Sequence, residues 1–390
     1  MDTPADTSNS HPDEPISATA PVMSYARARL YLGTSCVGLW VVISSVALLF
    51  DLPGRVLSVS RTPAWADAAQ LAAVIFVYAA IQGAFDLFGG FFLPKEYGRY
   101  APRLGAFLLH WFRGAALHGA FLLAIGLLLL TAARLGGFWA ALAVFVLLNA
   151  VLVAAQVALA RLIGGMGVAR RGDVLLLRSP YPHLTGGVAG LGREAIVLPE
   201  AWAERFGSAA FGLLTARRRA LLARGSRRAG LAAAFSWNLL GFALAYTAAG
   251  GTESVAGLVS FSFWSTLWAF LGVLVLPTVS RRAVFQADAL ALSGGGAGEG
   301  DAERLGGLIR ALDKDQDDEA GRDPAVETIF HPVPSSTRRL ARLGTPPPRL
   351  AAWHVARAAL YLSWANLSWL SRAVHCNVGR PEVWVFLPSD

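Results

Sequence analysis

Long apolar stretches alternate with short, arginine-bearing ones along this chain. The apolar runs cover positions 30–50, 69–93, 104–131, 138–160, 229–249 and 255–277. A helix rises 1.5 Å per residue, so ~20 residues cross a hydrocarbon core about 30 Å thick. The pattern therefore predicts six membrane-spanning helices. A seventh helix is predicted over 350–371, where His354, Arg357, Ser368 and Arg372 recur at near-helical spacing. Such a polar stripe suits a helix lying along the interface or against the bundle as well as one that crosses.

Between the fourth and fifth runs the periodicity changes. Asp173-Val-Leu-Leu-Leu-Arg178 and Glu194-Ala-Ile-Val-Leu-Pro199 flank a Gly-rich stretch and read as two short strands around a turn. From Ala201 to Arg224, Phe206, Ala210, Leu213, Leu214 and Leu221 fall near helical spacing. The expected fold is mainly α: a multi-pass α-helical membrane bundle of six or seven spans carrying a cytosolic α+β unit. The expected division is a disordered tail 1–24, a four-span domain 25–160, a strand and helix segment 161–228 and two further spans 229–277. A helical and linker segment 278–349 and a C-terminal amphipathic or membrane helix with its tail, 350–390, complete it.

Composition fits this class, with 55% hydrophobic and 15% charged residues and a mean hydropathy of +0.48. That is too apolar for an ordinary soluble domain. Arginine placement sets the orientation, because short cytoplasmic loops carry the excess of basic residues. Arg27 and Arg29 precede the first run, Lys95, Arg99 and Arg103 lie between the second and third, and Arg161 through Arg228 fill the segment before the fifth. The opposite loops hold Arg55, Arg61 and Arg134. The N-terminus, the 161–228 segment and the region after Arg281 and Arg282 are thus expected in the cytosol. The net charge of +8 is a topology signal and an attraction to anionic headgroups, and it implies no nucleic-acid partner. High Arg and Ala usage beside only Lys95 and Lys314 points to a bacterial source and its inner membrane.

Ionisable residues inside spans are costly and therefore candidates for function. Asp86 and Arg113 lie at similar depths in the second and third runs, with His110 one turn from Arg113. They are expected to pair, as a structural clamp or a polar site facing the bundle interior. The acidic run Asp313 to Glu319 begins like a calcium loop but carries Asp318 where Gly is required and Pro324 where a bidentate Glu is required. It reads as a solvated loop, and Gly294 to Gly300 as a flexible linker. Cys36 and Cys376 are too few for a disulfide framework. His375-Cys376 cannot complete a metal site alone, and Trp384 and Phe386 are expected to anchor the tail at the interface or on the body.

Three landmarks occur in a telling order. After the Ile-Val-Leu-Pro strand and its helix comes Ser280-Arg-Arg-Ala-Val-Phe-Gln-Ala-Asp288, and then His331-Pro332 with Arg338, Arg339 and Leu343. Over roughly residues 165–343 this order resembles the membrane zinc metallopeptidases of the HtpX and CAAX prenyl endopeptidase type, metallopeptidase family forty-eight. Their chemistry needs His-Glu-x-x-His on a helix, where two imidazoles four apart grip zinc and the Glu activates water. The resemblance puts those histidines at Ala216 and Ala220, the Glu at Arg217, and the third ligand at Val284. Asp288, His331 and Arg338 are the motif residues retained. The resemblance with these losses implies no catalytic residues, no zinc and no other cofactor, hence a pseudopeptidase that binds membrane-protein segments or partner peptides beside the lipid bilayer. The alternatives are an active zinc endopeptidase with substitute ligands such as His183, His331 and Glu200, or a transporter or channel built on Asp86 and Arg113.

Overall fold

The computed structural model describes residues 23–179, 181, 183–293, 300–372 and 379–387. The expectations for the N-terminal tail through residue 22, for 294–299, and for His375 and Cys376 lie outside the described residues. Among the described residues, five helices are long and apolar enough to cross a membrane. They are α1 (Tyr25–Leu49), α2 (Ala64–Leu87, continued through a π-turn to Glu96), α3 (Leu104–Ala154), α5 (Ser226–Ala248) and α6 (Val255–Ser293). A further helix, α4 (Ala201–Ala223), lies between α3 and α5. The third and fourth apolar runs are joined in α3, which breaks at Gly136 and Gly137. Gly137 has φ +59° and ψ −145°, a conformation that side-chain-bearing residues avoid, so the expected loop is reduced to a glycine hinge.

Among the described residues four strands, not two, form the sheet: β1 (Gly167–Arg171), β2 (Val174–Arg178), β3 (Gly187–Ala189) and β4 (Ala195–Pro199), in the order β1-β2-β4-β3. β2 and β4 pair in parallel with Val174 opposite Ile196, and the outer strands are antiparallel. Side chains alternate between faces. Leu177 and Val197 join the core shared with the bundle. Val174, Leu176, Ile196 and Leu198 face a second core built with Trp202, Leu213 and Leu214 of α4 and with Leu305, Leu308 and Ile309 of α7 (Asp301–Gln316). Glycine-rich β3 was missed because three residues give almost no periodic signal.

Two further expectations change. The sixth apolar run and the motif segment after it form one helix, because α6 continues unbroken through Pro277 to Ser293. Residues 350–371 do not form one continuous helix. They fold as α8 (Val355–Leu362) and two 3-10 turns, Ser363–Asn366 and Trp369–Ser371, all buried against α5 and α6. Of the stripe, Arg357, Ser368 and Arg372 are buried and His354 is half-buried. Trp384 and Phe386 are buried in the body, 1% and 3% exposed, so the tail is docked.

The arginines that signalled a cytosolic side gather at one end. Arg99 donates to the Lys314 carbonyl and to Asp318 Oδ2, both at 2.9 Å, and Arg29 pairs with Asp317 at 3.5 Å. Arg322 binds Asp317 at 2.8 Å and Arg205 pairs with Asp315. The acidic run is therefore a clasp joining α1, the α2–α3 loop, α4 and α7, and not the solvated loop its composition suggested. Opposite charges from distant segments make it one unit.

Candidate functional site

Helices α4 and α6 bring the motif positions together. The three arginines that follow Ala216 point apart, since successive helical residues turn by about 100°. Arg217 is 1% exposed and donates through Nε to Asp288 Oδ1 at 2.7 Å. Arg218 is also buried and lies over the Trp353 ring at 5.3 Å. Arg219 points outward to Asp173 at 2.9 Å. Ala216 and Ala220 are half-buried, and Val284 is buried one turn before Asp288.

Asp288 receives a second guanidinium. Arg339 donates from Nε to Oδ2 and from a terminal nitrogen to Oδ1, both at 2.9 Å. The two-point fork is the geometry Arg offers a carboxylate. The second partner is Arg339 and not the adjacent Arg338, the retained motif residue. Arg338 turns to Glu327 at 3.0 Å, a fully buried carboxylate that also faces Arg281 at 4.0 Å. In the short helical turn Ser336–Leu340, neighbouring residues point to different partners, and the tandem Arg pair gave no means of choosing. Glu327 was missed, although a Glu one turn before His331 in Pro324–Phe330 was visible as a polar residue in a short apolar helix.

The positions assigned to zinc ligands do not fit a metal. Methyl and isopropyl groups have no lone pairs, and a guanidinium neither coordinates a cation nor acts as a base near neutral pH. The fallback set does not converge either. His183 and His331 line one polar cavity with Asp313, Arg322 and Arg339, but Glu200 is held by Arg178 at 2.6 Å. Among the described residues, no three His, Cys, Asp or Glu side chains are grouped to hold a metal ion.

That cavity carries opposed titrations. Burial holds the His183 imidazole down to about 4, and burial pushes Asp313 up to about 6 against the pull of Arg322. For His183 the folded value is lowered, so its contribution is present above the usual imidazole value and is lost as pH falls from about 6.5 toward 4. For Asp313 the folded value is raised, so its contribution is present at low pH and lost as pH rises through about 6. Melting temperatures from pH 7 to 4.5 should fall less for His183→Gln than for the wild type and more for Asp313→Asn. Parallel profiles for all three proteins would contradict this assignment.

The intramembrane candidates are rearranged. Asp86 does not meet Arg113. It accepts from Trp111 Nε1 at 2.8 Å and Gln82 Nε2 at 3.1 Å and faces Arg372 at 3.7 Å. Arg113 instead donates to the Leu162 carbonyl at 2.9 Å, and His110 lies 3.4 Å from Glu382. Asp86 thus clamps α2 to α3 and to the segment after α8, and Arg113 binds the carbonyl end of the helix Gln156–Leu162.

Bundle and site together define a multi-spanning membrane protein with a small sheet and two helices packed at one end. Among solved structures its fold is similar to the crystal structure of S. mikatae Ste24p, with a TM-score of 0.58 at 13% identity over 78% of this chain and 80% of that one. No family model and no curated protein sequence matches the chain.

Proposed function

We propose that this chain is a catalytically inactive relative of the membrane zinc endopeptidases, a pseudopeptidase whose cleft binds segments of membrane proteins. The fold it shares with Ste24p and the order of its motifs support the relationship. The observation that carries the inactive reading is the Arg217–Asp288–Arg339 cluster. It fills the gap between α4 and α6 with guanidinium groups at the position where the resemblance requires a general base and, one turn from Asp288, a metal ligand. Binding does not need the metal, because strand edges and apolar pockets recognise peptides without it. β1 offers such an edge, being mostly exposed and paired only to β2. The cytosolic orientation and the bacterial inner membrane belong to this proposal.

Zinc content of dialysed, detergent-purified protein tests it. The expected ratio is near zero zinc per chain, and a ratio near one that survives washing would overturn the reading. The fourfold change Ala216→His, Arg217→Glu, Ala220→His and Val284→Glu is expected to raise the ratio towards one. It also sets a new Glu beside Asp288, so this variant should melt lower without zinc than with it. A fourfold variant that folds but gains neither zinc nor zinc-dependent stability would show that the motif is misplaced.

A further inference from the structure

Two buried arginines stand outside the ion-pair network. Arg227 is 4% exposed and Arg357 is 5% exposed, and neither Nε has a hydrogen-bond partner. Among the described residues neither side chain has a carboxylate within 4 Å, since Glu194 pairs with the adjacent Arg228 at 3.8 Å and acts on Arg227 only from farther away. Both line one small cavity, together with Gly186 and Gly187 and with apolar walls from Val153, Leu231 and Phe386. No Asp or Glu among the described residues lines it.

The helices sharpen the anomaly. Arg227 is in the first turn of α5 and Arg357 in the first turn of α8. The two helix starts are tied by the Trp353 N–H donating to the Ser226 carbonyl at 2.9 Å. Each helix start carries partial positive charge, which opposes a cation and favours an anion. Two guanidinium groups and two helix starts therefore meet in a cavity lined by no carboxylate among the described residues, although Arg357 also borders the neighbouring cavity that holds Asp313. Buried charge left without a counterion is strongly unfavourable. The cavity volume is about 30 Å³, room for about two waters or one compact oxyanion.

We infer that this cavity is a phosphate-binding site, its ligand being the phosphate of a lipid headgroup at the start of the α5 span or a free phosphate group. Arg227 and Arg357 supply the charge and the two-point donors such a group takes. Arg357 also borders the cavity lined by Arg339, but Asp288 lines neither cavity, and the inference stands whether or not the peptidase reading does.

The test uses the full chain. In neutral detergent, inorganic phosphate at the ionic strength of a chloride control is expected to raise the melting temperature by about 3 °C or more at saturation. The double variant Arg227→Gln, Arg357→Gln should lose that rise. In nanodiscs, a rise with phosphatidylglycerol over phosphatidylcholine alone, also lost in the double variant, assigns the site to a lipid headgroup. A rise with inorganic phosphate alone assigns it to a free phosphate. If neither probe stabilises the wild type, or the double variant keeps the full rise, the inference is overturned. Should the double variant fail to fold, calorimetric titration of the wild type decides: saturable binding of either probe near one per chain supports the site, and its absence for both removes it.

Discussion

Replacing Asp288 with Ala is expected to cost about 3–5 kcal/mol, because it leaves buried cations without their carboxylate. Arg217 and Arg339 are 1% and 5% exposed and cannot turn to water without opening α4 from α6. The loss should appear as a melting-temperature drop of about 10 °C or more and as earlier proteolysis between α4 and α5. A triple change to Arg217→Met, Asp288→Leu, Arg339→Met should recover most of it, since buried ion clusters are often replaceable by apolar groups of similar size. If Asp288→Ala melts within a degree or two of the wild type, the cluster is not the closure described above.

Arg372→Met should have a comparable effect within the bundle. Arg372 is 2% exposed, lies 4.0 Å over the Trp384 ring, donates to the Tyr78 hydroxyl at 3.3 Å and faces Asp86. Its removal leaves the Asp86 carboxylate within a span with the neutral donors Trp111, Gln82 and the Gly379 N–H but no cation, at a cost of about 3–5 kcal/mol. The double variant Asp86→Asn, Arg372→Met should be less damaged than the sum of the single changes, with a coupling of about 1 kcal/mol or more by double-mutant cycle. Additive losses would mean that Arg372 contributes through its ring contacts alone. An ion flux abolished by Asp86→Asn in protein of unchanged stability would favour the transporter reading over the clamp.

The spans were legible because lipid leaves a chain few choices: each crossing needs an unbroken apolar run, and six such runs are in the sequence. The order of the motifs was legible for a related reason, since α4 and α6 must each present a fixed face to the gap between them. Partners were not. Nothing local to Asp86 points to Arg372, which reaches it only after the chain has folded back beneath α2 and α3. The acidic run advertised its charge but not its arginines, which come from four places in the chain. Arg338 and Arg339 were both candidates, and only the phase of a one-turn helix decides between them. For residues 350–371 the pattern left several arrangements open, because an amphipathic stripe cannot distinguish polar side chains turned into the protein from polar side chains facing water.

The uninterrupted length of α6 has a mechanical consequence. Its 39 residues make a rod of about 58 Å, of which the hydrocarbon core takes only about half. Asp288 lies about 33 Å along this rod from the middle of the membrane segment, so a tilt of ~10° there sweeps the carboxylate sideways by about 6 Å. A contact of 2.7 Å cannot survive such a sweep. The Arg217 and Arg339 contacts therefore act as a latch on the angle of a lever whose other arm is set by the thickness of the surrounding lipid.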